Sequence, residues 1–281
     1  MPESLILTPK EMNDTLVGIG KKKAKMSLFA LFMYAILAGL YIALGAVGAS
    51  FVISGGMADP GIAKMIAGVV FSTGLILVIL AGAELFTGNM LMTAGLIERK
   101  YFFMHIMRNW AIVWFGNFAG ALLVVYLMFG SGYFIAGGEF TKLGAFLVQL
   151  GDTKMALEFW PAFLRGILCN ILVCLAVVIS LSSVSTEGKI LAIVFPITVF
   201  IIGSFEHCVA NMFFLPAALM IKGTIVEGLP AMFNNLIPVT LGNIVGGVII
   251  VLLHPKSYKR LRNFLIAGKK IDLNSGKRYK K

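Results

Sequence analysis

The stretch NWAIVWFGNFAGALL, residues 109–123, returns in altered form as NLIPVTLGNIVGGVI, residues 235–249. Each has an Asn, then Gly-Asn seven and eight positions on (Gly116-Asn117 and Gly242-Asn243), then two small residues (Gly120-Ala121 and Gly246-Gly247). A second pair of motifs keeps the same order. Gly88-Asn89-Met90 lies 28 residues before Asn117, counted Asn to Asn, and Ala210-Asn211-Met212 lies 32 before Asn243. The chain therefore reads as two copies of one unit.

Composition says what medium the unit lives in. The chain is 59% hydrophobic and only 13% charged, with a mean hydropathy of +0.92, more apolar than a soluble domain can hide in one core. Crossing about 30 Å of hydrocarbon takes roughly 20 apolar residues. Such stretches lie around residues 27–53, 63–83, 110–135, 161–184, 189–203 and 235–254. Two of the six are disturbed: the second runs into ELFTGN (Glu84 to Asn89) and the fifth into SFEHCVAN (Ser204 to Asn211), each before a shorter apolar piece.

The expected fold is an all-α integral membrane protein of six transmembrane helices. Three spans per copy is an odd number, so the second copy enters the membrane upside down, giving an inverted 3+3 repeat with broken second and fifth spans. Small residues let the helices approach closely. Backbone left unpaired at membrane depth is tolerated only where protein or a water-filled path supplies partners, so paired breaks argue for a conduit.

The formal charge of +11 sits at the ends. Lys21, Lys22, Lys23 and Lys25 precede the first span, and ten Lys and Arg against the single Asp272 follow from Lys256 on. Positive flanks mark the cytoplasmic side, so both termini are expected there. The basic tail, 256–281, then serves topology and contact with anionic membrane lipids rather than nucleic acid. Residues 1–26 carry Glu3, Glu11 and Asp14, so no cleaved signal peptide is expected. Within them TPKE predicts a helix start, with Thr8 as N-cap, Pro9 at the first position and Glu11 closing a capping box. Met12, Leu16 and Ile19 share a face suited to a membrane surface. The organisation expected is a cytoplasmic amphipathic helix over 1–26, a six-span domain over 27–255 and the tail. Cys169, Cys174 and Cys208 lie in apolar segments and outline neither a disulfide framework nor a metal set. No cofactor is expected. His105 and His254 fall near span ends.

AELFTGN (Ala83 to Asn89), LRGILCNILVCLAV (Leu164 to Val177), FEHCVANMF (Phe205 to Phe213) and NLIPVTLGNIVGG (Asn235 to Gly247) together resemble the signatures of the formate/nitrite transporter family, which includes hydrosulfide channels. The resemblance spans about Pro9 to His254. It implies an aquaporin-like protomer in a cell membrane, assembled as a homopentamer with a pore in each protomer. The paired Asn-Pro-Ala motifs of water channels are missing. By motif, the resemblance places Phe71, Leu75 and Phe200 at the constriction and Leu85, Phe86 and Thr87 on the loop of the first break. His207 faces the passage, supported by Asn170 and Thr87, and Lys154 lies on its extracellular side. Glu84, where many formate channels carry Asp, and a linker read over Lys222 to Met232 depart from the family pattern.

An anion cannot pass between Phe and Leu side chains unaided, because shedding water costs several kcal/mol. Half-helix N-termini at the breaks and the charge of Lys154 offer compensation. His207, with a reference pKa of about 6.5, can donate a hydrogen bond or a proton; protonating a small carboxylate at pH 7 costs roughly 4 kcal/mol. Glu206 would repel an anion if it lined the path. It is expected behind the path, with Glu84, Asn89 and Asn211, bonding free N–H groups of the break or polar residues of the other copy. The functions left open are passage of a small monovalent anion (formate, nitrite or hydrosulfide), with or without a proton, and a neutral-solute channel for water, ammonia or glycerol. No nucleophile–base pair or phosphate loop suggests an enzyme.

Overall fold

The computed structural model describes residues 7–260, 262 and 263. They form ten α-helices, with one short hairpin: α1 (Pro9–Lys25), α2 (Leu28–Ser54), α3 (Pro60–Leu77), α4 (Thr93–Ile97), α5 (Phe103–Gly130), β1 (Ile135–Ala136) and β2 (Glu139–Phe140), α6 (Lys142–Met155), α7 (Phe159–Ser182), α8 (Thr186–Ile202), α9 (Cys208–Lys222) and α10 (Ile225–Leu253). Five helical stretches, Leu28–Ser54, Pro60–Gly82, Phe103–Gly130, Phe159–Ser182 and Ile225–Leu253, are long and apolar enough to cross a membrane. The other apolar segments are short because they are broken: Gly88–Ile97 continues α3 after a gap, and α9 continues α8.

The helices pack in matching sets. α2 lies against α3 and α5, α7 against α8 and α10, and α3 against α8. Glycines set the spacing. A Cβ on Gly166 of α7 would meet Val239 O of α10 at 2.9 Å, and one on Gly68 of α3 would meet the Thr198 Cα of α8 at 2.7 Å, so these helices touch backbone to backbone.

Three sequence expectations change. α10 begins at Ile225, two residues after α9 ends in Gly223 at φ +69°. The linker read over Lys222 to Met232 therefore shrinks to Gly223 and Thr224, and from Ile225 it is helix, running through Pro230 without a break. α5 starts at Phe103, earlier than the apolar run suggested, and α6 was not foreseen, because its Lys142, Gln149, Asp152 and Lys154 dilute the hydropathy. The face of α1 assigned to the membrane surface is turned partly inward: Leu16 is buried, Met12 and Ile19 are half-buried, and the helix packs on α4, α5 and α7.

α1 starts as its sequence requires, with Thr8 Oγ1 accepting from Glu11 N and Glu11 Oε2 accepting from Thr8 N. Its outer side is clasped to the segment that follows α10. Lys256 Nζ bonds Asp14 and lies 3.3 Å from Glu98, which also accepts from Asn13 Nδ2, while His254 Nε2 donates to Pro9 O at 3.1 Å. Most of the basic tail over 256–281 lies outside the described residues.

Candidate functional site

Each break leaves backbone groups without helical partners, and an asparagine from a neighbouring helix takes them up. After α3 the chain winds a π-turn, Val78–Gly82, and leaves it at Gly82 with φ +79°, a conformation that suits a residue without Cβ. Across the following loop, Asn117 of α5 accepts from Phe86 N at 2.9 Å and donates to Ala35 O and Glu84 O at 2.8 and 2.9 Å. At the other break, Asn243 of α10 accepts from Cys208 N at 2.9 Å and donates to Gly166 O and Glu206 O at 2.8 and 2.9 Å. One amide satisfies three buried groups in each place, as low-dielectric surroundings require.

Beside each loop sits a carboxylate, a lysine and two further asparagines. Glu84 accepts from Lys23 Nζ at 2.9 Å and Asn89 Nδ2 at 2.8 Å, and Asn89 reaches Asn109. Glu206 accepts from Lys154 Nζ at 2.8 Å and Asn211 Nδ2 at 2.6 Å, and Asn211 reaches Asn235. The sets differ at two atoms. Asn89 Oδ1 accepts from Lys23 at 2.7 Å, whereas among the described residues the buried Asn211 Oδ1 has no partner; conversely, Asn235 Nδ2 donates to Lys154 O at 2.8 Å, whereas the buried Asn109 Nδ2 has no partner among them.

This corrects the reading of Glu206. It bonds neither free N–H groups of its break nor the other copy, because Asn243 and His207 already hold those N–H groups and Lys154 offers a full charge. Nor is it remote: both carboxylates lie on cavity walls, each matched by its lysine. The helix start at this break likewise has fewer free N–H groups than expected.

Two cavities flank the loops. One, of about 550 Å³, is lined by Leu16, Lys23, Leu75, Glu84, Leu85 and Asn89 among others. The second, of about 320 Å³, is lined by residues including Phe71, Lys154, Phe200, Glu206, His207 and Asn211. Phe71 and Leu75 are one turn apart on α3, about 6 Å along its axis, so the wall between the cavities there is one helical turn. Phe71 meets Phe200 edge-on with ring centroids 5.5 Å apart, and Phe200 lies 6.0 Å from the His207 ring.

His207 has both nitrogens engaged. It is the N-cap of α9, with Nδ1 accepting from Ala210 N at 3.1 Å, so in the neutral ring the hydrogen sits on Nε2. That nitrogen is 2.9 Å from Thr87 Oγ1 on the other break loop.

The sequence profile of the formate/nitrite transporter family matches residues 10–255. A probable formate transporter of Methanothermobacter thermautotrophicus is 40% identical over 260 residues, which are 87% of this chain and 94% of that protein. The chain belongs to the formate/nitrite transporter family. Two solved structures share its fold: a pentameric formate channel with formate bound, at TM-score 0.69 and 36% identity over 85% of this chain and 97% of that one, and a family ion channel at TM-score 0.77 and 28% identity over 86% and 96%. The protein is thus a multi-pass membrane protein of a channel and transporter family.

In this family member the motif residues gather around one region, although Phe86, Thr87 and Asn170 line neither cavity. Phe86 contributes its backbone N–H to Asn117, and Thr87 meets His207 through its hydroxyl. Asn170 makes no hydrogen bond to His207 among the described residues; it donates to Thr87 O at 3.2 Å and Asn243 O at 2.5 Å, fixing the loop that carries Thr87. Sequence reading missed Lys23, hidden in a basic cluster taken as a topology signal. It also missed the loop-holding work of Asn117 and Asn243, whose signal was their repeat spacing.

Proposed function

We propose that the protein conducts small monovalent anions, formate or nitrite first, across a cell membrane through a path in each protomer of a homopentamer. In this reading the six spans form an aquaporin-like inverted repeat, α3 and α8–α9 being the broken spans, and both termini are cytoplasmic, where the basic tail meets anionic lipid. The path runs from the Lys23 cavity past Leu75, Leu85 and Thr87 to Phe71, Phe200, His207 and the Lys154 cavity. Formate as cargo and the pentamer are suggested by what the similar proteins are called.

The observation that carries the reading is the engagement of His207. A buried ring whose Nε2–H is held toward Thr87, on an apolar wall between two cavities each with a Lys–Glu pair, gives an anion a hydrogen-bond donor where water is lost. It favours the neutral ring as donor. Protonating His207 requires Nδ1 to give up Ala210 N, so proton-linked passage is the conditional mode. The apolar wall of Phe71, Leu75 and Phe200 favours a second reading, hydrosulfide crossing as the neutral acid; a neutral-solute channel for water, ammonia or glycerol is the remaining alternative.

Swelling of sealed proteoliposomes in formate, nitrite, hydrosulfide and glycerol separates these. Fast swelling in formate or nitrite over protein-free vesicles supports the reading, and swelling in glycerol alone ends it. Current and labelled-formate flux recorded together between pH 5 and 8 test the proton: a falling charge-to-formate ratio on acidification indicates coupling, and a constant ratio excludes it.

A further inference from the structure

The second cavity carries more positive charge than the Lys154–Glu206 pair accounts for. Its wall holds Lys64, Lys154 and Arg165 against the single carboxylate of Glu206, and that carboxylate is bonded to Lys154. Among the described residues, neither Lys64 nor Arg165 has an acid within ion-pair distance. Lys64 Nζ instead donates to Ser204 Oγ at 2.9 Å, which leaves it two hydrogens to offer.

Ser204 is itself unusual. It holds φ at +51°, a left-handed conformation that a residue with a Cβ keeps only when its surroundings hold it. Arg165 is tied to the same loop, its carbonyl accepting from Glu206 N at 3.3 Å. Arg165 and Ser204 are exposed, and Lys64 is half-buried. Lys64 stands seven residues before Phe71 on α3, about 10 Å along the axis. Two helices, α3 and α7, and the loop after α8 thus bring two unneutralised cations and a hydroxyl on a left-handed backbone to one rim, well outside the Phe71–Phe200 wall.

We propose that Lys64, Arg165 and the Ser204 hydroxyl form a capture subsite for a small monovalent anion at the mouth of the second cavity, separate from Lys154. The proposal deepens the transport reading and rests on it. Lys154 is closed by its carboxylate, so the first unpaired positive charge an arriving anion meets is at this rim. There it is concentrated by the local field before it loses water. Removing the rim charges therefore weakens loading without altering the passage itself.

Two measurements test this. In proteoliposomes at about 10 mM salt, Lys64→Gln/Arg165→Gln is expected to raise the half-saturating formate concentration about 3- to 10-fold with maximal flux unchanged. The difference should shrink toward unity near 1 M salt, where screening acts within about 3 Å, and Lys64→Arg should keep wild-type loading. The second readout needs no transport. In Ser204→Cys, the new thiol lies on the rim while Cys169, Cys174 and Cys208 are buried. An anionic methanethiosulfonate should modify it several-fold faster than a cationic one, and the double charge removal should bring the ratio close to one. An unchanged ratio, or a drop in maximal flux with unchanged half-saturation, overturns the subsite. If the wild type carries no formate, the transport reading fails, and the thiol ratio still decides whether the rim gathers anions.

Discussion

Thr87 Oγ1 and His207 Nε2 lie 2.9 Å apart across 120 residues of sequence, and they join the two break loops at a single point. Because the other ring nitrogen caps α9, His207 is at once a helix start and the donor facing the first loop. Any test of its role must separate those two duties.

His207→Asn does so. Asn is a good N-cap, so α9 keeps its start, whereas replacing a capping side chain by an apolar one costs about 0.5–2 kcal/mol. We expect His207→Asn and His207→Phe both to lower formate flux at least tenfold in proteoliposomes, with only the Phe variant melting measurably lower. Full flux in a folded Asn variant would return His207 to a purely structural part.

The loop-holding asparagines make a matched pair of stability tests. Asn117→Ala and Asn243→Ala each orphan two buried backbone groups of a break, Phe86 N with Glu84 O and Cys208 N with Glu206 O, while Ala35 O and Gly166 O keep their partners inside α2 and α7; the cost is about 1–3 kcal/mol per orphaned group before relaxation. Each should lower the melting temperature of the detergent-solubilised protein by a similar, large amount. A melt within a degree or two of wild type for either variant contradicts the assignment.

Lys154 is buried and paired, so its influence should resist salt. Lys154→Glu sets a second carboxylate against Glu206, and pairs of this kind are screened far less than exposed charges. Flux should fall at least tenfold and stay low from about 10 mM to 1 M salt. Recovery at high salt would mean that Lys154 acts from the solvent.

The clasp on α1 has a pH window. The hydrogen bond from Lys256 holds the Asp14 carboxyl below its ordinary range, and Asp14 in turn raises Lys256. A lowered carboxyl stabilises above its usual pKa of about 4 and fails as pH falls through its folded value; a raised lysine stabilises below about 10.4 and fails above it. The contact should therefore be intact from pH 5 to 8. Hydrogen exchange in α1, corrected for intrinsic rates, is expected to be flat over that range and several-fold faster in Asp14→Asn; equal exchange in the two proteins removes the clasp.

Much of this is legible in the sequence. The Gly-Asn spacing marked Asn117 and Asn243 as equivalent positions of a repeat, though not their hold on the loops, and Thr8 and Glu11 announced the start of α1, because both signals depend on neighbours in sequence. The partner of Glu206 was not legible, since Lys154 is 52 residues away and the choice depends on which competitor already holds the break's N–H groups. Lys23 was invisible for a related reason. In a cluster of four lysines nothing local marks the one that turns toward Glu84.

The two occupied nitrogens of His207 bear on how such a protein can be re-engineered. A side chain that fixes a helix with one atom and meets cargo with another leaves a designer little freedom at that position. Altered selectivity should come more readily from the neighbouring surfaces, Phe71, Leu75 and Phe200, whose shape can be recut without unseating a helix.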